Sequence, residues 1–310
     1  MDYEPYHKVM NTVFRSSPMN FYVDTLEWVN PEDVYACVIS LKKKYAVQLL
    51  QKGVLKFNSP ENWTKYALDN SIGRGDLLEG AFKAIAVPVE QKDFVYEHKD
   101  ENPVYMMGIK YPEYDLLHFK DADVIKLPCY CFYLLKNKDF SLEANGVHVT
   151  ARASIPARYF RGLEDGRSWL EEQQLDEGDR LVTVVIGEMD EFIKRIKAAL
   201  LKVGVDESEI IAAQVQYMDL SKPYNHGNSH PLELFVKDIM FSDQAEGRIV
   251  VNCSDKIIRE RLIKEPIEIG SIEDIAYLDD HYYSSGMEME FTSFIGRDLG
   301  YRKSKKHEFK

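Results

Sequence analysis

The spacing of hydrophobic positions along this chain changes period repeatedly, and each change marks an element. "DVYACVIS" (33–40) is an almost unbroken apolar run of strand length, as in a strand packed on both faces. "LKKKYAVQLLQKG" then switches to helical spacing. Tyr45, Leu49 and Leu50 share one side, Ser40 is placed to cap the helix and Gly53 to end it. "VLKFNSP" (54–60) reads as the next strand, closed by Pro60, and "ENWTKYALDNSIGRGDLLEG" as a polar loop. "FKAIAVPV", "VYMMGIKY", "VIKLPCYCFYLL" and "GVHVTARAS" follow as strands, and "SWLEEQQL" as a helix. "RLVTVVIG" is a strand leading into "MDEFIKRIKAALLKVG", an amphipathic helix with Phe192, Ile193, Ile196, Ala199 and Leu200 inward. "AAQVQYMDL" and "DIMFSDQAEGRIVVN" are strands, "SDKIIRERLIKE" is a helix opened by Ser254, and "PIEIGSIEDIAYL" reads strand, turn, strand. Strands outnumber helices, and most helices sit between pairs of strands. The expected class is α+β rather than regular βαβ alternation.

One stretch carries more than packing. In "KDIMFSDQAEGRIVV" (237–251), an extended chain puts Phe241, Ala245, Gly247, Ile249 and Val251 on one face. Ser242, Gln244, Glu246 and Arg248 fall on the other. That row is either a solvated sheet face with an ion pair or a catalytic carboxylate with a helper two residues before it.

Charge and cysteine content narrow the choices. The net charge is −12, which argues against a broad basic surface that coats nucleic acid, while leaving room for a local groove. The end, "GRDLGYRKSKKHEFK", is basic. The organisation expected is an aromatic-rich lead-in over 1–30, a single domain over 31–295 and a basic tail over 296–310. The four cysteines, Cys37, Cys129, Cys131 and Cys253, show neither disulfide-framework nor Cys-x-x-Cys spacing, and read as buried thiols. The start "MDYEPYHKVMNTVF" lacks a basic segment followed by an apolar run, and no stretch approaches bilayer-spanning length. A cytoplasmic, reducing compartment and no membrane contact are expected.

The motifs that are missing matter as well. There is no Gly-rich phosphate loop, no nucleophile elbow and no Ser or Cys set with histidines as in a triad. His226 and His230 in "NHGNSH" are four apart, but Gly227 and Pro231 make the segment a loop, so no metal is expected. What remains are three polar clusters, with aromatics among them, at the ends of core strands. They are Tyr35 and Ser40; Phe57, Ser59, Trp63, Asp76 and Glu79; and Gln244, Glu246 and Arg248. Asp76 and Glu79 would face the same way on a helical turn, where they would also suit a helix N-terminus. Trp63 reads as a packing residue.

The order of these pieces resembles ADP-ribosyltransferase-like domains. "VYACVIS", a helix, and "QKGVLKFNSPENW" are similar to their N-terminal half, and "FSDQAEGRI" to their (Gln/Glu)-x-Glu strand. More narrowly, the chain resembles the bacterial DUF2971 type over residues 33–280. "FNSPENW" with "GDLLEG" looks like that family's Phe-Ser-x-Pro…Asp-x-x-x-Glu segment, and "QAEGR" like its Glu-x-Glu-x-Arg strand, with Gln244 in place of the first acid. "IEIGSIEDIAYL" resembles its closing segment. The resemblance implies a split, mixed or antiparallel sheet with inserted helices, and NAD as the substrate. It implies Glu246 and Gln244 as catalytic residues. Tyr35, Ser40, Phe57, Ser59, Arg248, Asp76 and Glu79 would surround the cofactor. Some toxins of toxin–antitoxin systems that act in phage defence are transferases of this kind. The resemblance therefore implies a nucleic-acid acceptor, RNA or single-stranded DNA, with a protein acceptor as the alternative and an antitoxin as a partner.

Overall fold

The computed structural model describes residues 21–22, 25–69, 76–88, 104–146, 148–161, 171, 174–226, 230–280 and 286–294. The lead-in up to residue 20, the basic tail and most of "SWLEEQQL" lie outside them. In chain order the elements begin with β1 (Phe21–Tyr22), β2 (Glu27–Trp28), β3 (Val34–Lys42), α1 (Lys43–Lys52), β4 (Val54–Leu55) and α2 (Pro60–Asp69). Next come β5 (Ala81–Pro88), β6 (Val104–Lys110), β7 (Tyr114–Asp121), β8 (Cys129–Lys136), β9 (Ser141–Asn145), β10 (His148–Pro156) and α3 (Ala157–Arg161). The remainder are β11 (Leu181–Ile186), α4 (Met189–Lys202), β12 (Ile210–Gln214), β13 (Gln216–Met218), β14 (Tyr224–Asn225) and β15 (Val236–Asp238), then β16 (Glu246–Val251), α5 (Lys256–Lys264), β17 (Ile267–Glu268), β18 (Ala276–Asp279) and β19 (Gly286–Phe294). The class is α+β, with mostly antiparallel pairing.

The described residues form two compact units. The first comprises those of 55–131 and 197–267, the second those of 21–54, 132–196 and 268–294. In the first, β14-β5-β7-β6 form an antiparallel sheet, and β13 runs parallel to β15. β12 pairs antiparallel with β16, from Ile210 opposite Val251 to Gln214 opposite Gly247. Val251 N–H also reaches the Pro128 carbonyl at 2.9 Å, beside the start of β8. Leu127, Cys129, Ala213, Leu234, Phe235 and Val250 make the apolar core behind this strand. In the second unit the later part of β8 pairs with β3, β3 with β11 and β11 with β18. β11 is Leu-Val-Thr-Val-Val-Ile and every residue of it is buried, as a central strand of β-branched residues should be. β9, β10 and β19 form a separate antiparallel sheet in this unit.

Several local expectations are corrected. The "polar loop" after Pro60 begins with a helix, α2, because proline suits a first helical turn and Ser59 receives the Asn62 N–H at 3.4 Å. Ser40 caps nothing: it stays within β3, donating to the Val182 carbonyl at 3.3 Å. On α1, Ala46, Leu49 and Leu50 are buried and Tyr45 is exposed. Gly53 ends that helix in the left-handed region, φ 65°, with its N–H on the Leu49 carbonyl at 2.8 Å. α5 is capped by Asp255, which accepts from Ile257 and Ile258 N–H, and not by Ser254.

The largest correction concerns 237–251, which is not one strand. Asp238 accepts the Met240 N–H at 2.9 Å and starts a 3₁₀ turn over Ile239–Gln244. A side chain that bonds the backbone locally competes with the ladder. Ala245 closes the turn at φ 37°, and only then does β16 begin. All six residues of β16 are buried, so Glu246 and Arg248 are not on a solvated face, whereas Ser242 in the turn is exposed and Gln244 half-buried.

Candidate active site

Arg248 is the centre of the first unit's polar residues and is completely buried. It is the third residue of β16, so its side chain leaves the strand on the same side as Glu246, the first. Arg248 Nε donates to Glu246 Oε1 at 2.8 Å, and Nη2 to the same oxygen at 2.6 Å. Nη1 donates to Glu79 Oε1 and to the Leu234 carbonyl. The guanidinium also lies over the Trp63 ring, 5.1 Å from its centroid, so that packing residue of α2 is a cation–π partner too.

Lys237, the middle residue of β15, completes the cluster. Its ammonium donates to Glu246 Oε2 at 2.9 Å and to Gln244 Oε1 at 2.7 Å, with Glu79 Oε2 3.7 Å away. Glu246 N–H donates to the Tyr217 hydroxyl at 2.8 Å, and the Cys131 thiol, near the Glu246 carboxylate, helps to keep it ionised. Burial by itself would raise the Glu246 pKa, but Arg248 and Lys237 outweigh it and hold the carboxyl at about 2. Burial would likewise lower the Lys237 pKa, yet Glu246 and Glu79 hold it above the ordinary lysine value.

Asp76 and Glu79 do not share a helical turn. They lie in the tight turn that precedes β5, where Asp76 Oδ1 accepts the Leu78 N–H at 2.8 Å. Gly80 follows at φ 75°, where a Cβ would sit 3.1 Å from both Ile125 and Leu234 side chains. Glycine therefore lets the turn press Glu79 against Arg248. Asp76 is raised to about 6, first by burial and then by Glu79 beside it. Lys120 on β7 is lowered to about 8 by burial, opposed by the charges of Glu79 and Asp76.

The first unit thus gathers Glu246, Gln244, Arg248, Glu79 and Asp76 from segments far apart in the chain. Phe57 and Ser59 belong to the same unit but to its packing. Phe57 is 1% exposed, its ring 5.8 Å from Tyr130, so it presents no face for stacking. Ser59 is buried at the start of α2. Tyr35 and Ser40 belong to the second unit. Tyr35 is half-buried and packs edge-on against Phe140 and Phe291, each at 5.1 Å. His226 is tied by its N–H to the Phe82 carbonyl, and His230 bonds Glu233. Among the described residues no group of three or more His, Cys, Asp or Glu is arranged to hold a metal, and no helix is long and apolar enough to cross a membrane.

Sequence reasoning missed Lys237, Tyr217, Cys131 and Lys120. Lys237 had a signal, being the residue that opens the polar stretch. The others had none, since a Tyr, a Cys and a Lys inside strand-like runs look like ordinary packing and edge residues. Comparison with protein-family models, with curated proteins and with solved structures finds no significant match to this chain.

Proposed function

We propose that the protein is an NAD-dependent mono-ADP-ribosyltransferase, and that Glu246 is its catalytic carboxylate. The observation that carries this reading is the pairing of Glu246 with Arg248 and Lys237, which keeps a buried carboxylate ionised beside Gln244. Breaking the bond between nicotinamide and ribose leaves positive charge on the sugar, and a fixed, ionised carboxylate stabilises it. The Gln244 carbonyl oxygen is occupied by Lys237, which leaves its amide N–H₂ to orient the acceptor. Asp76 and Glu79 border the same cluster. Tyr35, Ser40, Phe57 and Ser59 are given no part in it.

The acceptor in this reading is nucleic acid, RNA ahead of single-stranded DNA, and the biological role is that of a toxin or phage-defence effector held in check by an antitoxin. This part rests on the resemblance of the motifs. The second reading is a non-catalytic, partner-binding protein. It draws on how fully the charges of Glu246 and Arg248 are matched, and on the exposed Ile239 and Met240 in the 3₁₀ turn before β16.

The test is transfer of label from adenylate-labelled NAD to total RNA, single-stranded DNA or total protein, with wild type and Glu246→Gln side by side. Label in one acceptor pool, reduced about 100-fold or more in the variant, is the expected result. No transfer to any pool by folded wild-type protein overturns the reading and favours the second.

A further inference from the structure

Beside the Glu246 cluster, the first unit holds a buried polar row that the proposed chemistry does not use. His118 and Lys120 are two apart on β7 and so share a face of the sheet. Across the sheet His118 is opposite Ala84, and Ala84 opposite Tyr224, which puts Tyr224 on that face as well. Because the residue between them is only alanine, the Tyr224 hydroxyl reaches His118 Nδ1 at 3.1 Å. That bond fixes the ring, and His118 Nε2 is left buried with no hydrogen-bond partner among the described residues. Burial lowers the His118 pKa to about 4, so the ring is neutral at pH 7.

Two more groups complete the row. Lys120 Nζ donates to Thr64 Oγ1 at 3.1 Å, one of the three bonds an ammonium can give. Asp76 uses Oδ1 on Leu78 N–H, but Oδ2 is buried without a partner among the described residues. Lys120 and Asp76 each feel the other's charge, yet Oδ2 does not receive the ammonium. Buried polar atoms in folded proteins are almost always hydrogen-bonded, so Asp76 Oδ2 and His118 Nε2 have bonding capacity left for a further polar group. An anion is disfavoured by the two carboxylates, Asp76 and Glu79, and a cation by Lys120 and Lys237. A neutral group that both donates and accepts fits.

We propose that Asp76 and Lys120 form the subsite for the carboxamide of nicotinamide. Asp76 Oδ2 accepts its N–H, and the Lys120 ammonium donates to its carbonyl oxygen. His118, held by Tyr224, borders the subsite. This inference rests on the transferase reading, and it makes Asp76 and Lys120 specificity determinants for the amide over the corresponding acid.

The experiment compares NAD with nicotinic acid adenine dinucleotide, whose ring carries a carboxylate in place of the amide. Release of nicotinamide or nicotinic acid by the full-length protein gives kcat/KM for each, with thermal melting to verify folding. Asp76→Asn is expected to lower the NAD-to-acid preference at least about tenfold, because its amide can donate to the carboxylate. Lys120→Gln is expected to move the preference the opposite way, because it keeps a donor but loses the charge that attracts an acid. A residue acting only in packing would move neither ratio. Unchanged ratios in folded variants of an active enzyme overturn the subsite and leave the transferase reading standing. A wild type that cleaves neither dinucleotide overturns both.

Discussion

Replacing Arg248 by Met tests whether the cluster is held together by charge or only by volume. The guanidinium serves Glu246 and Glu79 at once, and Lys237 is the cation left when it is removed. Two carboxylates would then share one ammonium in a site where Arg248 and Glu79 are at most 1% exposed. Removing one partner of a buried ion pair typically costs about 3–5 kcal/mol, because the orphaned charge remains desolvated. Met roughly matches the stem of Arg in volume, so most of the loss is electrostatic. Adding Glu79→Gln restores the balance of charge and is expected to recover about 1–3 kcal/mol of it. The pH dependence gives a second readout. In wild type, Glu246 lies below its unfolded pKa, so its contribution to stability is present at neutral pH and is lost as pH falls from about 4.5 towards 2. In Arg248→Met, the unneutralised carboxylate lies above its unfolded value. The folded state then binds the proton more tightly, and stability rises as pH falls. Urea unfolding followed by circular dichroism at pH 7 and pH 5 should show the gap between variant and wild type narrowing by about 1 kcal/mol. A double variant no more stable than the single one, together with a gap unchanged by pH, would refute the electrostatic account.

Two backbone positions give further checks. Ala245 holds φ 37° between the 3₁₀ turn and β16, so Ala245→Gly is expected to stabilise by roughly 0.5 kcal/mol, and a clear loss of stability would contradict the strain argument. At Gly53, a Cβ would come within 2.1 Å of the Gly270 carbonyl oxygen at φ 65°, so Gly53→Ala should cost about 2 kcal/mol or more in thermal melts, and an unchanged Tm would count against so close an approach.

How much could be read from the sequence follows the range of the forces involved. α4, with Phe192, Ile196 and Leu200 buried, and the β-branched β11 were legible because a repeat of a few residues specifies them. So was the end of α1 at Gly53. The helix after Pro60 was not, because its apolar side is only Trp63, Tyr66 and Ala67 among polar residues such as Asn62, Thr64 and Lys65, and only Ser59 and Pro60 mark its start. The single strand read over 237–251 failed at Asp238, whose carboxylate diverts the backbone into a turn. Glu246 and Arg248 still ended on one side because that alternation needs only β16 itself. Glu79 and Arg248 could be named as candidates but not as partners. Phe57 was placed around the cofactor because nothing local revealed Tyr130 beside it.

Glu79 and Arg248 are 169 residues apart in the chain, and that distance sets a schedule for synthesis. At a translation rate of roughly 5–20 residues per second, Glu79 leaves the ribosome on the order of ten to thirty seconds before its cation exists. For most of that interval Asp76 and Glu79 lack both Lys237 and Arg248. A nascent chain or truncated product that stops short of residue 248 cannot assemble the cluster, however well its earlier strands and helices form.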